Sequence, residues 1–143
     1  MSRSALHYGT KYSRGLSPVA AVTDNTAFVS EILDTANWDQ NEFIMMVGEV
    51  ADADATFTIL FEDGDNSALS DNAAVADAQL LGTESGAAFL FSDDNKTVKI
   101  GYIGKKRYIR VTITPAGNTG DIFLSAVWAQ AVGRTQPQST QIN

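Results

Sequence analysis

Arg107-Tyr-Ile-Arg-Val-Thr-Ile-Thr114 alternates without a break. Ile109, Val111 and Ile113 fall on one side, and Tyr108, Arg110, Thr112 and Thr114 on the other. That period of two belongs to a strand with one face in a core and one in water. It recurs in Thr56-Phe-Thr-Ile-Leu-Phe61, where Phe57, Ile59 and Phe61 share a side. Phe28–Leu33, Thr97–Tyr102 and Asp121–Trp128 are rich in the β-branched and aromatic residues that strands favour. Phe43-Ile-Met-Met-Val47 is an unbroken apolar run, which predicts a strand covered on both faces. Ile103-Gly-Lys-Lys106 reads as a short turn joining two strands, and Pro115–Gly120 as a loop of turn residues. Ala73–Leu81 holds good helix formers closed by Gly82, so a short helix and an irregular strand both remain open. The pattern predicts an all-β chain: an antiparallel β-sandwich or a β-tulip-like small barrel.

The chain has 143 residues, the length of a single domain. Apolar residues make up 44% and charged residues 19%, with 10 basic and 17 acidic side chains and a net charge of −7. An acidic balance argues against nucleic-acid binding, which needs cations to displace counterions from phosphates. Cysteine is absent and His7 is the lone histidine, which removes thiolate metal sites, disulfides, cysteine nucleophiles and histidine-based triads. No apolar stretch approaches the ~20 residues that span a bilayer, and the first residues lack a signal-peptide pattern. We expect no membrane partner, no cofactor and no enzymatic activity.

The ends differ from the middle. Residues 1–18 carry Arg3, Lys11 and Arg14 and no acid, a charge of +3 that leaves −10 on the rest. This segment has no strand or helix period and reads as an extended N-terminal arm, with Leu6, Tyr8, Tyr12 and Leu16 as apolar anchors. Residues 19–132 form the β domain, and 133–143 a polar C-terminal tail. Opposite signs on arm and body favour contact with neighbouring copies or a lattice.

Three features invite a chemical reading. Glu62–Asn72 offers oxygen ligands, but its spacing is not that of a calcium loop, and a solvated hairpin loop is expected. Lys105, Lys106 and Arg107 cluster on one turn beside Lys99 and Arg110, either as a charged hairpin tip or as a contact for an acidic partner. Trp128 ends an apolar strand and belongs to the core, whereas Trp38 sits in a polar stretch where it suits a sugar platform.

Lys99–Thr114 resembles a segment of small proteins from tailed-phage head gene clusters. Thr58–Ser67 and Asp77–Glu84 resemble the same family's strand, acidic loop and Leu-Leu-Gly region. The likeness spans residues 27–132. It implies a virion role: a capsid decoration (cement) protein, made in the host cytoplasm, that binds the assembled major capsid protein on the outer surface of the head. It also implies a homotrimer. Arg3, Leu6, Tyr8, Lys11, Tyr12, Arg14 and Leu16 on the arm, with Lys105, Lys106 and Arg107, are the expected partner-binding residues. The alternatives are a head–tail connector or tail-tube protein, and a carbohydrate-binding module.

Overall fold

The computed structural model describes residues 3–135, 137 and 138. Two antiparallel sheets pack face to face without closing into a barrel, so of the two expected architectures the sandwich holds. The first sheet orders β1 (Thr10–Leu16), β11 (Ile122–Gly133), β4 (Trp38–Val50), β9 (Thr97–Tyr102) and β7 (Leu80–Leu81). The second orders β2 (Phe28–Val29), β10 (Tyr108–Ala116), β5 (Thr56–Gly64) and β6 (Ala73–Ala74). Within it, β3 (Leu33–Asp34) pairs with β10 and β8 (Phe89–Leu90) with β5. Two helices are short, α1 (Ala5–Gly9) and α2 (Glu84–Ala87).

Strand alternation builds the core as read. Phe57, Ile59 and Phe61 point inward from β5, and Ile109, Val111 and Ile113 from β10. From the facing sheet come Phe43, Met45 and Val47 of β4 and Leu124, Ala126 and Trp128 of β11. Trp128 is 1% exposed, and its indole N–H donates to the Glu31 carbonyl at 3.1 Å. Its ring meets Phe43 edge-on at 4.8 Å, and Phe61 crosses from the opposite sheet at 6.1 Å from Phe43.

Several expectations change. Residues 3–18 are not a free arm. Residues 5–9 form α1, and residues 10–16 are an edge strand hydrogen-bonded to β11. Gly15 explains why no period was visible. A Cβ there would stand 3.0 Å from the Ala126 carbonyl oxygen, and the β1 register shifts around it. The Glu31 N–H donates to the Gly15 carbonyl and anchors the strand from its other side. Removing residues 2–17 therefore strips a sheet edge rather than a tail. Phe28–Leu33 is two short strands, because Ser30 exchanges backbone and hydroxyl hydrogen bonds with Val111 between them. Ala73–Leu81 resolves as extended, with one 3-10 turn over Asp77–Gln79. Most of the C-terminal tail lies outside the described residues. Gly133 ends β11, and the Gln138 N–H donates to the Tyr8 carbonyl.

Ile103–Arg107 is not a hairpin tip. It carries the chain from β9 in one sheet to β10 in the other. Tyr102, buried at the end of β9, locks that crossing. Its hydroxyl donates to the Asp63 carboxylate of β5 at 2.7 Å and accepts the Lys106 N–H at 3.1 Å. Gly104 must be glycine, since a Cβ would stand 2.4 Å from the Tyr102 ring. Burial first, then the Asp63 carboxylate, pushes the Tyr102 hydroxyl well above the ordinary tyrosine value of 10.0.

A phenol whose folded-state pKa is raised stabilises the fold below its unfolded value, and that contribution is lost as pH climbs above it. Denaturant unfolding of the wild type should show stability falling steadily above about pH 10, while Tyr102→Phe lacks that slope. At neutral pH the variant should lose about 1–3 kcal/mol, because Asp63 is left buried without its donor.

Candidate docking face

In any strand pair, residues directly opposite share one face of the sheet. The register therefore lays out the outer surface of the five-stranded sheet in rows. One row runs Arg14 on β1, Val127 on β11, Ile44 on β4 and Lys99 on β9. The next row toward α1 is Tyr12, Ala129, Glu42, Gly101 and, on β7, Leu81. On the other side lie Ser125, Met46 and Thr97, and beyond them Phe123 against Gly48.

Both apolar strands thus carry large side chains outward. Met46 is 58% exposed, Phe123 41% and Val127 40%. Phe43–Val47 is not covered on both faces, contrary to the expectation from its unbroken apolar run, and Ile122–Trp128 is likewise open on one face. The inner half is core and the outer half is open to solvent. Two depressions of about 490 and 390 Å³ share Tyr12 and Ile44 and join into one trough across this face. Leu6 and Ile103 wall one end, Leu16 and Pro18 the other, and Gly101, Ala129 and Ala131 leave its floor low. The second sheet's outer face is more mixed, with Thr58, Arg110, Thr112 and Thr114 facing out beside the exposed Val29, Leu60 and Leu90.

The expected partner-binding residues divide between two places. Tyr12 and Arg14 stand on the outer face of β1, and Leu6 of α1 overlooks it. Leu16 borders the trough while packing against the core, and Lys11 lies half-buried on β1. Arg3 and Tyr8 are exposed beside or on α1. Lys105, Lys106 and Arg107 sit apart, along a cleft of about 480 Å³ shared with Trp38 and Asn41. Two of these three cations are held within the chain. Lys106 pairs with Asp65, and Arg107 makes a two-pronged contact to Asp34 at 2.8 and 2.9 Å. Arg110 pairs with Glu62 at 2.7 Å.

The acidic loop is what holds this turn. The Asp71 carboxylate accepts the N–H groups of Asp65 and Asn66, presenting Asp65 to Lys106. Among the described residues no three metal-ligating side chains converge. Trp38 is half-buried, packed so closely over Gly133 that a Cβ there would stand 2.5 Å from its ring. Ile44, Met46, Phe123, Val127 and Lys99 face outward here without being among the residues expected to bind a partner, because the unbroken apolar runs predict cover rather than exposure.

No family model matches the chain, and no curated protein matches it in sequence. Among solved structures, the PBSX exported protein XepA aligns with a TM-score of 0.54 at 11% identity. That alignment covers 94% of this chain and 40% of XepA, so this chain spans well under half of XepA's length. The CBM22-1 xylan-binding domain of Paenibacillus barcinonensis Xyn10C gives 0.44 at 10% identity, covering 89% of this chain and 88% of the domain. The SPBc2 prophage-derived protein YomS gives 0.39 at 12% identity, covering 84% and 94%. Phage-derived proteins and a carbohydrate-binding module are thus among the solved structures that resemble this chain. The likeness to XepA is one of fold.

Two outcomes check this geometry. Val127→Asp and Met46→Asp should each change stability by no more than about 0.5 kcal/mol, as exposed positions do, while abolishing the fluorescence of a hydrophobic dye bound to the native protein. The Arg107 guanidinium, through its hydrogen bond, holds the Asp34 carboxyl below its ordinary value of 3.8. Its contribution is present above that value and is lost as pH falls through the lowered one. Carboxylate titration by NMR should show Asp34 returning upward in Arg107→Ala.

Proposed function

We propose that this chain is a non-catalytic structural protein of a phage particle: a decoration protein seated on the outside of the head, bound to the assembled major capsid protein through the outer face of its five-stranded sheet. The observation that carries the reading is the open apolar trough on the outer face of the five-stranded sheet of an acidic domain. Contiguous apolar surface of this kind marks a protein contact, because leaving it in water costs about 25 cal/mol for each Å². The resemblance of residues 27–132 to head-cluster proteins points that contact at a capsid. A cement role needs no chemistry, only contact area repeated over many copies, so each contact can be weak. A homotrimer at three-fold positions belongs to the same reading, since a closed oligomer matches the local symmetry of a shell.

Carbohydrate binding is the second reading, and Trp38 in the cleft with Asp39, Asn41 and Lys105 is the observation that favours it. The trough itself suits sugar poorly. A sugar site sets several stacking rings side by side, whereas beside Tyr12 this trough sets the aliphatic Ile44, Met46 and Val127.

Co-sedimentation with phage heads that lack the protein separates these readings. The wild type should bind at hundreds of copies per head, a few copies per head pointing instead to a connector, and Val127→Asp should stay in the supernatant while remaining folded. Full occupancy by Val127→Asp would remove the trough from the contact. Glycan binding abolished by Trp38→Ala would favour the second reading.

A further inference from the structure

The row Arg14–Val127–Ile44–Lys99 places a cation at each end of two apolar side chains. Three strand spacings separate the ends, about 14 Å. Lys99 makes no ion pair among the described residues, and Arg14 meets only Glu31, in a pair whose two side chains are both more than half exposed. Such a pair is exchanged at little cost. The rest of the chain is strongly acidic, so cations bracketing the trough run against the general charge. Glu42 stands near the middle of the next row and repels an acid placed on the midline.

We propose that the trough takes an amphipathic α-helix of the partner protein, with an apolar stripe on Ile44 and Val127 and a line of carboxylates along each flank, one meeting Arg14 and the other Lys99. This rests on the docking reading above and names the partner's chemistry. The width agrees, since a helix with its side chains is about 10–12 Å across. The low floor of Gly101 and Ala129 admits its bulky residues. Two copies docking face to face would set these cations against one another, so a second copy fits the face poorly.

Three synthetic peptides of about 18 residues, five helical turns, supply the test. The first has a Leu stripe flanked by Glu, the second the same stripe flanked by Lys, and the third the composition of the first with its stripe scrambled. NMR titration of the full chain should show the Glu-flanked peptide shifting Ile44 and Val127, and the other two binding at least tenfold more weakly. Lys99→Glu should weaken the Glu-flanked peptide about fivefold or more, the worth of one exposed ion pair, with Lys99→Gln intermediate and both variants melting as the wild type does. Equal binding of the Lys-flanked or scrambled peptide, or no binding of any, would overturn the inference. So would self-association lost in Val127→Asp, which assigns the face to a second copy. If heads reject Val127→Asp yet accept Lys99→Glu as well as wild type, the docking reading stands and this one fails. If heads accept Val127→Asp, the docking reading itself fails.

Discussion

The contact of Trp128 with Phe43, closed by Phe61 from the opposite sheet, sets everything else in this molecule. Trp128 and Phe43 are direct partners in the β11–β4 ladder, the most extensive pairing of the fold. Burying them together fixes that register, and a slip by one residue would turn every side chain over. With Trp128 and Phe43 inward, Val127 and Ile44 must face outward. The open trough is therefore a consequence of the core and not a separate device. Among the described residues, β1 adds to the sheet's edge and does not fold over this face.

The distribution of charge sharpens that asymmetry. Most basic side chains of the β domain are held by acids of the same chain: Lys96 by Asp93, Lys106 by Asp65, Arg107 by Asp34 and Arg110 by Glu62. The first three brace loops at the margins of the sandwich, and Arg110–Glu62 ties β10 to β5 across the second sheet. Lys99 and Lys105 have no ion pair among the described residues, and of the two it is Lys99 that stands on the outer sheet face beside Ile44. The apolar trough and an open cation thus coincide on one surface, while the second sheet sets Val29, Leu60 and Leu90 among threonines.

Much of this was legible in the residues. Strict alternation in Thr56–Phe61 and Arg107–Thr114 located two central strands and their inward faces, because period two reports burial directly. The same signal says nothing about which sheet a strand joins. That is why Ile103–Lys106 read as a hairpin tip, when a buried hydrogen bond between Tyr102 and Asp63, 39 residues apart, carries the chain across the sandwich. The N-terminal segment concealed its strand for a local reason. Its inward positions, Lys11 and Ser13, meet the sandwich edge rather than the core, and Gly15 interrupts the register. Composition makes Tyr12 and Arg14 expected contact residues, but the neighbours that share a surface with them, Val127 and Ile44, come from strands more than 25 residues away in sequence. The acidic loop's work of presenting Asp65 to Lys106 depends on a tertiary contact no local pattern encodes.

The orientation of the domain on its particle tests the account most directly. In a cryo-EM reconstruction of decorated heads, the outer face of the five-stranded sheet should be turned into the capsid, with Ile44, Met46 and Val127 in contact with shell density and the threonine face of the second sheet toward solvent. A map with the trough facing outward and the second sheet against the shell would contradict it.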